Sequence, residues 1–110
     1  MKITTIAKLS KRLKKINREI SYASFVEGRG FSAGLILFRP GSIADPKQIK
    51  HSDKDVVCQV VRGSGRLRVA GRKVALKPGM LCHIPRGAPH DFAAGKKSRL
   101  VLFYSLIETG

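Results

Sequence analysis

Apolar residues near the start of the chain, Ile6, Leu9, Leu13, Ile16 and Ile20, recur at steps of three and four. That spacing marks one stripe of an α-helix, with Lys8, Lys11, Arg12, Lys15 and Arg18 spread over the other faces. Thr4 or Thr5 can cap its start. The pattern predicts a basic amphipathic helix over residues 1–20, packing its stripe on the rest of the molecule. Beyond Ile20 the texture changes to short apolar runs punctuated by Gly and Pro. Stretches 21–26, 34–38, 56–61, 66–70, 73–76, 80–84, 90–94 and 99–106 read as strands. Gly28-Arg29-Gly30, Arg39-Pro40-Gly41, Gly63-Ser64-Gly65, Gly71, Lys77-Pro78-Gly79 and the corner 85–89 are turns. Residues 44–54 are polar and read as a loop. Eight or nine strands at close spacing predict an all-β sandwich or closed barrel over residues 21–110.

Charge modifies this picture. The 110 residues carry 22 Lys and Arg against 7 Asp and Glu, a formal net charge of +15. Residues 1–20 hold seven of those basic side chains and a single acid, Glu19, and the remainder is basic as well. Both parts attract anions: nucleic acid, anionic lipid or a charged metabolite. Arg62, Arg66, Arg68, Arg72, Lys73 and Lys77 fall in a stretch without acids, and Arg66 and Arg68 share one face of a strand as a basic stripe. Few aromatics interleave with these residues, and no helix-turn-helix spacing is apparent, so nucleic acid is the less favoured partner. No run approaches the roughly 18–20 apolar residues that span a bilayer. Lysines interrupt the N-terminus where a secretory signal has its apolar region. A cytoplasmic location is the expectation. Cys58 and Cys82 lie in apolar stretches and read as packing residues, although spacing alone leaves a disulfide open.

The most specific stretch is GMLCHIPRGAPH, from Gly79 to His90, which fits G-x5-P-x-G-x2-H at every fixed position. Gly79 allows a turn into a strand, Pro85 and Gly87 shape a corner, and His90 opens the next strand. This stretch resembles the second signature motif of the cupin superfamily. The segment ending at Gly63 resembles the end of the first motif, G-x5-H-x-H-x3,4-E-x6-G, and the likeness spans roughly residues 34–106. It implies a jelly-roll β-barrel around a pocket, with a divalent metal (Zn, Fe or Mn) held by histidines and a carboxylate. His90 stands at the second-motif ligand position. In the first motif the glutamate position holds Val56, and of the histidine positions only His51 is filled. Asp53 and Asp55 are nearby oxygen donors. Candidate metal ligands are thus His51, Asp53, Asp55 and His90, with Arg86, Cys58 and His83 as candidate pocket residues.

Three functions compete on these grounds. The first is binding of a small, anionic ligand in the barrel pocket, with or without a divalent metal. A metal-dependent isomerase, dioxygenase or lyase is the second. Binding of nucleic acid or an anionic surface through the basic N-terminal helix is the third. A homodimer is expected, because pairing would cover exposed strand edges.

Overall fold

The computed structural model describes residues 1–40 and 54–108. Its elements are α1 (Ile6–Ser10), β1 (Lys14–Lys15), β2 (Ile20–Gly28), β3 (Phe31–Phe38), β4 (Lys54–Gly63), β5 (Gly65–Val69), β6 (Arg72–Leu76), β7 (Leu81–Ile84), β8 (His90–Ala94) and β9 (Leu100–Glu108). All strand pairs are antiparallel. They form a six-stranded sheet in the order β1-β2-β3-β9-β4-β7 and a three-stranded sheet in the order β6-β5-β8. The expected closed barrel is therefore not what strand pairing builds among the described residues. Two open sheets face each other instead.

Alternation along each strand decides what lies between them. Val56, Cys58 and Val60 of β4, Leu100 and Leu102 of β9, and Phe38 of β3 point inward from the large sheet. Leu67, Leu76 and Phe92 meet them from the small sheet. A second apolar cluster covers the opposite, outer face of the large sheet: Ala23, Leu35, Leu37 and Val101, roofed by Leu9 of α1.

The N-terminal segment departs from expectation. Its helix is one short piece, Ile6–Ser10, capped by the Thr5 hydroxyl, which accepts from Lys8 N at 3.0 Å. Of the expected stripe, Leu9 is buried, Leu13 packs beside it, and Ile20 turns to the inner core. Ile6 and Ile16 are exposed. Two causes act together. Lys8, Lys11, Arg12 and Lys15 stand three and four residues apart, where like charges repel on a helix, and no acid faces the helix N-terminus. The Asn17 side chain then accepts from Glu19 N and Ile20 N at 2.8 Å each, holding a turn that pairs Lys14 and Lys15 with β2.

Turn chemistry sets the corners. Val69 pairs with Arg72, leaving Ala70 and Gly71 as a two-residue hairpin loop with φ of 49° and 78°. Positive φ at both positions is the primed geometry that matches strand twist. At Gly63, φ is 82°, and a side chain would overlap the Arg99 carbonyl, so β4 and the start of β9 close on each other only through glycine.

Candidate functional site

Polar side chains gather on the inner face of the large sheet. Gly34 pairs with Tyr104, Tyr104 with Cys58, and Cys58 with Cys82, forming one row across β3, β9, β4 and β7. Gly34 leaves the gap in that row that Tyr22 of β2 fills. A Cβ there would lie 2.7 Å from the Tyr22 hydroxyl and 2.9 Å from its ring carbon. From the small sheet, Phe92 presents its ring edge-on to Tyr104 (centroids 6.2 Å apart), and His90 does the same to Phe92 (6.1 Å). His90 is 1% exposed. The result is an apolar inner wall that carries two phenols, two thiols and one imidazole. Sequence reasoning found His90 and both cysteines but missed Tyr22 and Tyr104. Their signal was present: each continues the inward parity of an apolar neighbour two residues away, Ile20 and Leu102.

Burial governs the protonation of this wall. It pushes the Cys58 thiol up to about 12, with the neighbouring Cys82 adding to the effect. Tyr104 is raised chiefly by burial and further by Cys58 and Tyr22. Tyr22 is raised by burial and by the charge of Glu27, against an opposing hydrogen bond with Ser24. Near neutral pH these three groups therefore stay protonated. They are hydrogen-bond donors there, not nucleophiles or bases. His90 Nδ1 lies 3.0 Å from the Ala88 carbonyl, which only accepts. The ring thus carries its proton on Nδ1, and in the neutral form Nε2 is the acceptor nitrogen.

Three other expected site residues meet elsewhere. Asp55 occupies an odd position of β4, the parity of exposed Val57 and Gln59. Its carboxylate accepts from Arg86 N at 2.9 Å and pairs with His83 Nε2 at 2.9 Å. The His83 side chain is 58% exposed, so it belongs to this outward-facing cluster and not to the inner wall. Arg86 is tied to β4 through its backbone. His51 and Asp53 lie outside the described residues. Among the described residues, no three His, Cys, Asp or Glu side chains come together as a metal set. Val56 cannot coordinate, the Cys58 thiol resists ionisation, and the Asp55 carboxylate is engaged by Arg86 and His83. The described donors do not fit zinc, iron or manganese.

Comparison with known proteins decides the family. The family model described as "Cupin domain" matches residues 34–106, about two thirds of the chain. The chain belongs to the cupin family. Similar solved structures span the same fold. A Thermus thermophilus protein solved as TT1209 is 23% identical over 98% of each chain, with a TM-score of 0.79. A predicted oxalate decarboxylase from Thermotoga maritima is 17% identical, covering 88% of this cupin and 92% of its own chain, with a TM-score of 0.78. Ectoine synthase from P. lautus is 16% identical over 98% of this cupin and 78% of its own chain, with a TM-score of 0.75. No curated protein matches the sequence. At these identities the likeness concerns the fold, and function is left to the residues. No helix among the described residues is long and apolar enough to cross a membrane.

Proposed function

We propose that this cupin binds a small anionic molecule in a chamber between its sheets, with the Tyr22 and Tyr104 hydroxyls donating to its carboxylate oxygens and His90 Nε2 accepting from a ligand hydroxyl. One observation supports the reading above others: neutral donors stand in a row on an otherwise apolar inner wall. Phenols and an imidazole turned inward call for hydrogen-bond partners that an apolar packing core does not supply, whereas ligand pockets combine an apolar lining with a few fixed polar groups. Phenolic hydroxyls kept protonated by burial suit the oxygens of a carboxylate. The chain's +15 charge raises the local concentration of such anions. One structural neighbour is named for oxalate, a small dianion, and another is a synthase, so the fold accommodates small-molecule chemistry. Binding is favoured over catalysis because the thiol and phenols are held in their unreactive forms, and this reading involves no metal.

Calorimetric titration with sodium oxalate and sodium citrate, in chloride buffer of matched ionic strength, tests it. Binding by the wild type that Tyr104→Phe weakens about tenfold for both anions, and that His90→Ala weakens about tenfold for citrate, which carries a hydroxyl, is the expected result, tenfold being about 1.4 kcal/mol. Equal binding by both variants, with their folds intact by circular dichroism, would overturn the reading.

A further inference from the structure

We infer a second ligand site, unrelated to the chamber, on the outer face of the three-stranded sheet: a cationic cleft built for a phosphate-bearing small molecule. Leu67 and Phe92 point inward, so the residues between them in β5 and β8 point outward. Strand register places Arg66 between Ala75 of β6 and Ala93 of β8, and Arg68 between Lys73 and Asp91. Two alanines flanking one arginine leave a shelf beside its guanidinium. Around that shelf lies a cavity of about 670 Å³, bordered by Arg39, Arg66, Arg68, Lys77, Lys96 and Asp91. Its volume falls within the roughly 300–1,000 Å³ of small-molecule sites.

Charge selects the ligand. Among the described residues Asp91 is the one acid on the border, and Arg68 already holds it through a two-pronged pair, Nε to Oδ1 at 3.1 Å and Nη2 to Oδ2 at 2.8 Å. The other four cations have no carboxylate partner among the described residues. Arg39 adds a second, independent sign. Its Nη2 donates to the Ser21 hydroxyl, while its Nη1 is buried and lacks an acceptor among the described residues. A buried donor left unsatisfied is destabilising, and a ligand oxygen at that end of the cleft would supply the missing acceptor. Four cations call for more than one negative charge, and the planar forks of Arg39 and Arg66 match the oxygens of a phosphate group. Among the described residues no aromatic side chain borders the cleft to stack on the bases of a nucleic-acid strand. A phosphorylated metabolite or a diphosphate fits these constraints.

Sodium pyrophosphate, titrated calorimetrically against sodium chloride at matched ionic strength, is the probe. Arg66→Ser and Lys96→Ser each change an outward-facing residue of the cleft, and Arg29→Ser changes an exposed cation in the β2–β3 turn, at the opposite end of β3 from Arg39. We expect one pyrophosphate per chain, weakened about tenfold by Arg66→Ser and further by the double variant, and unchanged by Arg29→Ser and by His90→Ala. Failure of the wild type to bind at about 10 mM pyrophosphate would overturn the site, since affinity that weak is no more than general charge attraction. Equal weakening by Arg29→Ser would do the same. Loss on His90→Ala would reassign the anion to the chamber. A single-stranded oligonucleotide that binds through Arg66 and is not displaced by pyrophosphate would replace the proposal with a nucleic-acid surface. None of these outcomes depends on whether oxalate enters the chamber.

Discussion

Arg68→Met leaves the Asp91 carboxylate in place without its guanidinium, and the structure sets the size of the loss. Asp91 has a side chain only 9% exposed, and Arg68 reaches it with two charge-assisted hydrogen bonds. Breaking a fully buried pair from one side costs about 3–5 kcal/mol. Here Arg68 is 35% exposed, so its departure lets water reach the carboxylate and reduces the penalty to about 2–3 kcal/mol. Asp91→Asn keeps the shape and leaves a guanidinium that can turn to solvent, so its cost is smaller, about 1 kcal/mol. Residues in such direct contact do not act independently, and the double variant should be less destabilised than the sum by about 1 kcal/mol or more. Urea unfolding in a chloride buffer free of phosphate measures all three, with the midpoint moving while the slope stays constant. For a chain of this length, the Arg68→Met loss corresponds to a drop in Tm on the order of 10 °C. A change below about 0.5 kcal/mol for Arg68→Met, or strict additivity in the double variant, would mean that Asp91 is solvated and the pair is a surface ornament.

Leu9→Ala should cost about 2 kcal/mol or more, because Leu9 is 1% exposed over the outer face of the large sheet, whereas Ile16→Ala, at 66% exposure, should change the urea midpoint little; equal losses would instead favour one continuous helix burying both. Ala70→Asn places at φ 49° a residue that tolerates left-handed backbone, so a gain of about 0.5–1 kcal/mol is expected by thermal unfolding, and a lower Tm would show that the methyl group matters there. Cys58 has its native pKa raised from 9.0 to about 12, so its contribution to stability is fully present below pH 9 and is lost as pH rises through the interval to 12, where the unfolded thiol ionises first. Accordingly Cys58→Val should lose less stability than the wild type between about pH 8 and pH 11 in parallel urea titrations, and identical pH profiles would contradict a buried, protonated thiol.

Local signals determined much of this protein without reference to the rest of the fold. Gly71, Gly79 and Gly87 sit at positive φ with open space around them, so their role is conformational and visible from the residue type alone. Alternation and turn residues located every long strand within a few positions, and the Gly79–His90 stretch pointed to the cupin family before any pairing was known. Contacts between distant residues decided the rest. The N-terminal stripe satisfied a helix on paper, yet charge repulsion and the Asn17 turn stopped it after one short piece, and the outer face of the large sheet took Leu9 alone into its deepest contact. Asp55 counted as a ligand candidate by its sequence neighbourhood, but β4–β7 pairing turned it toward His83 and Arg86, away from the chamber. Tyr22 fills a gap left by a glycine twelve positions further along the chain, and Arg39 joins Arg66 and Lys96 at one cleft only because the end of β3 passes close to the small sheet. Strand propensity and turn chemistry are properties of a few adjacent residues. Which side chains meet depends on sheet order and register, which no short window of the sequence contains.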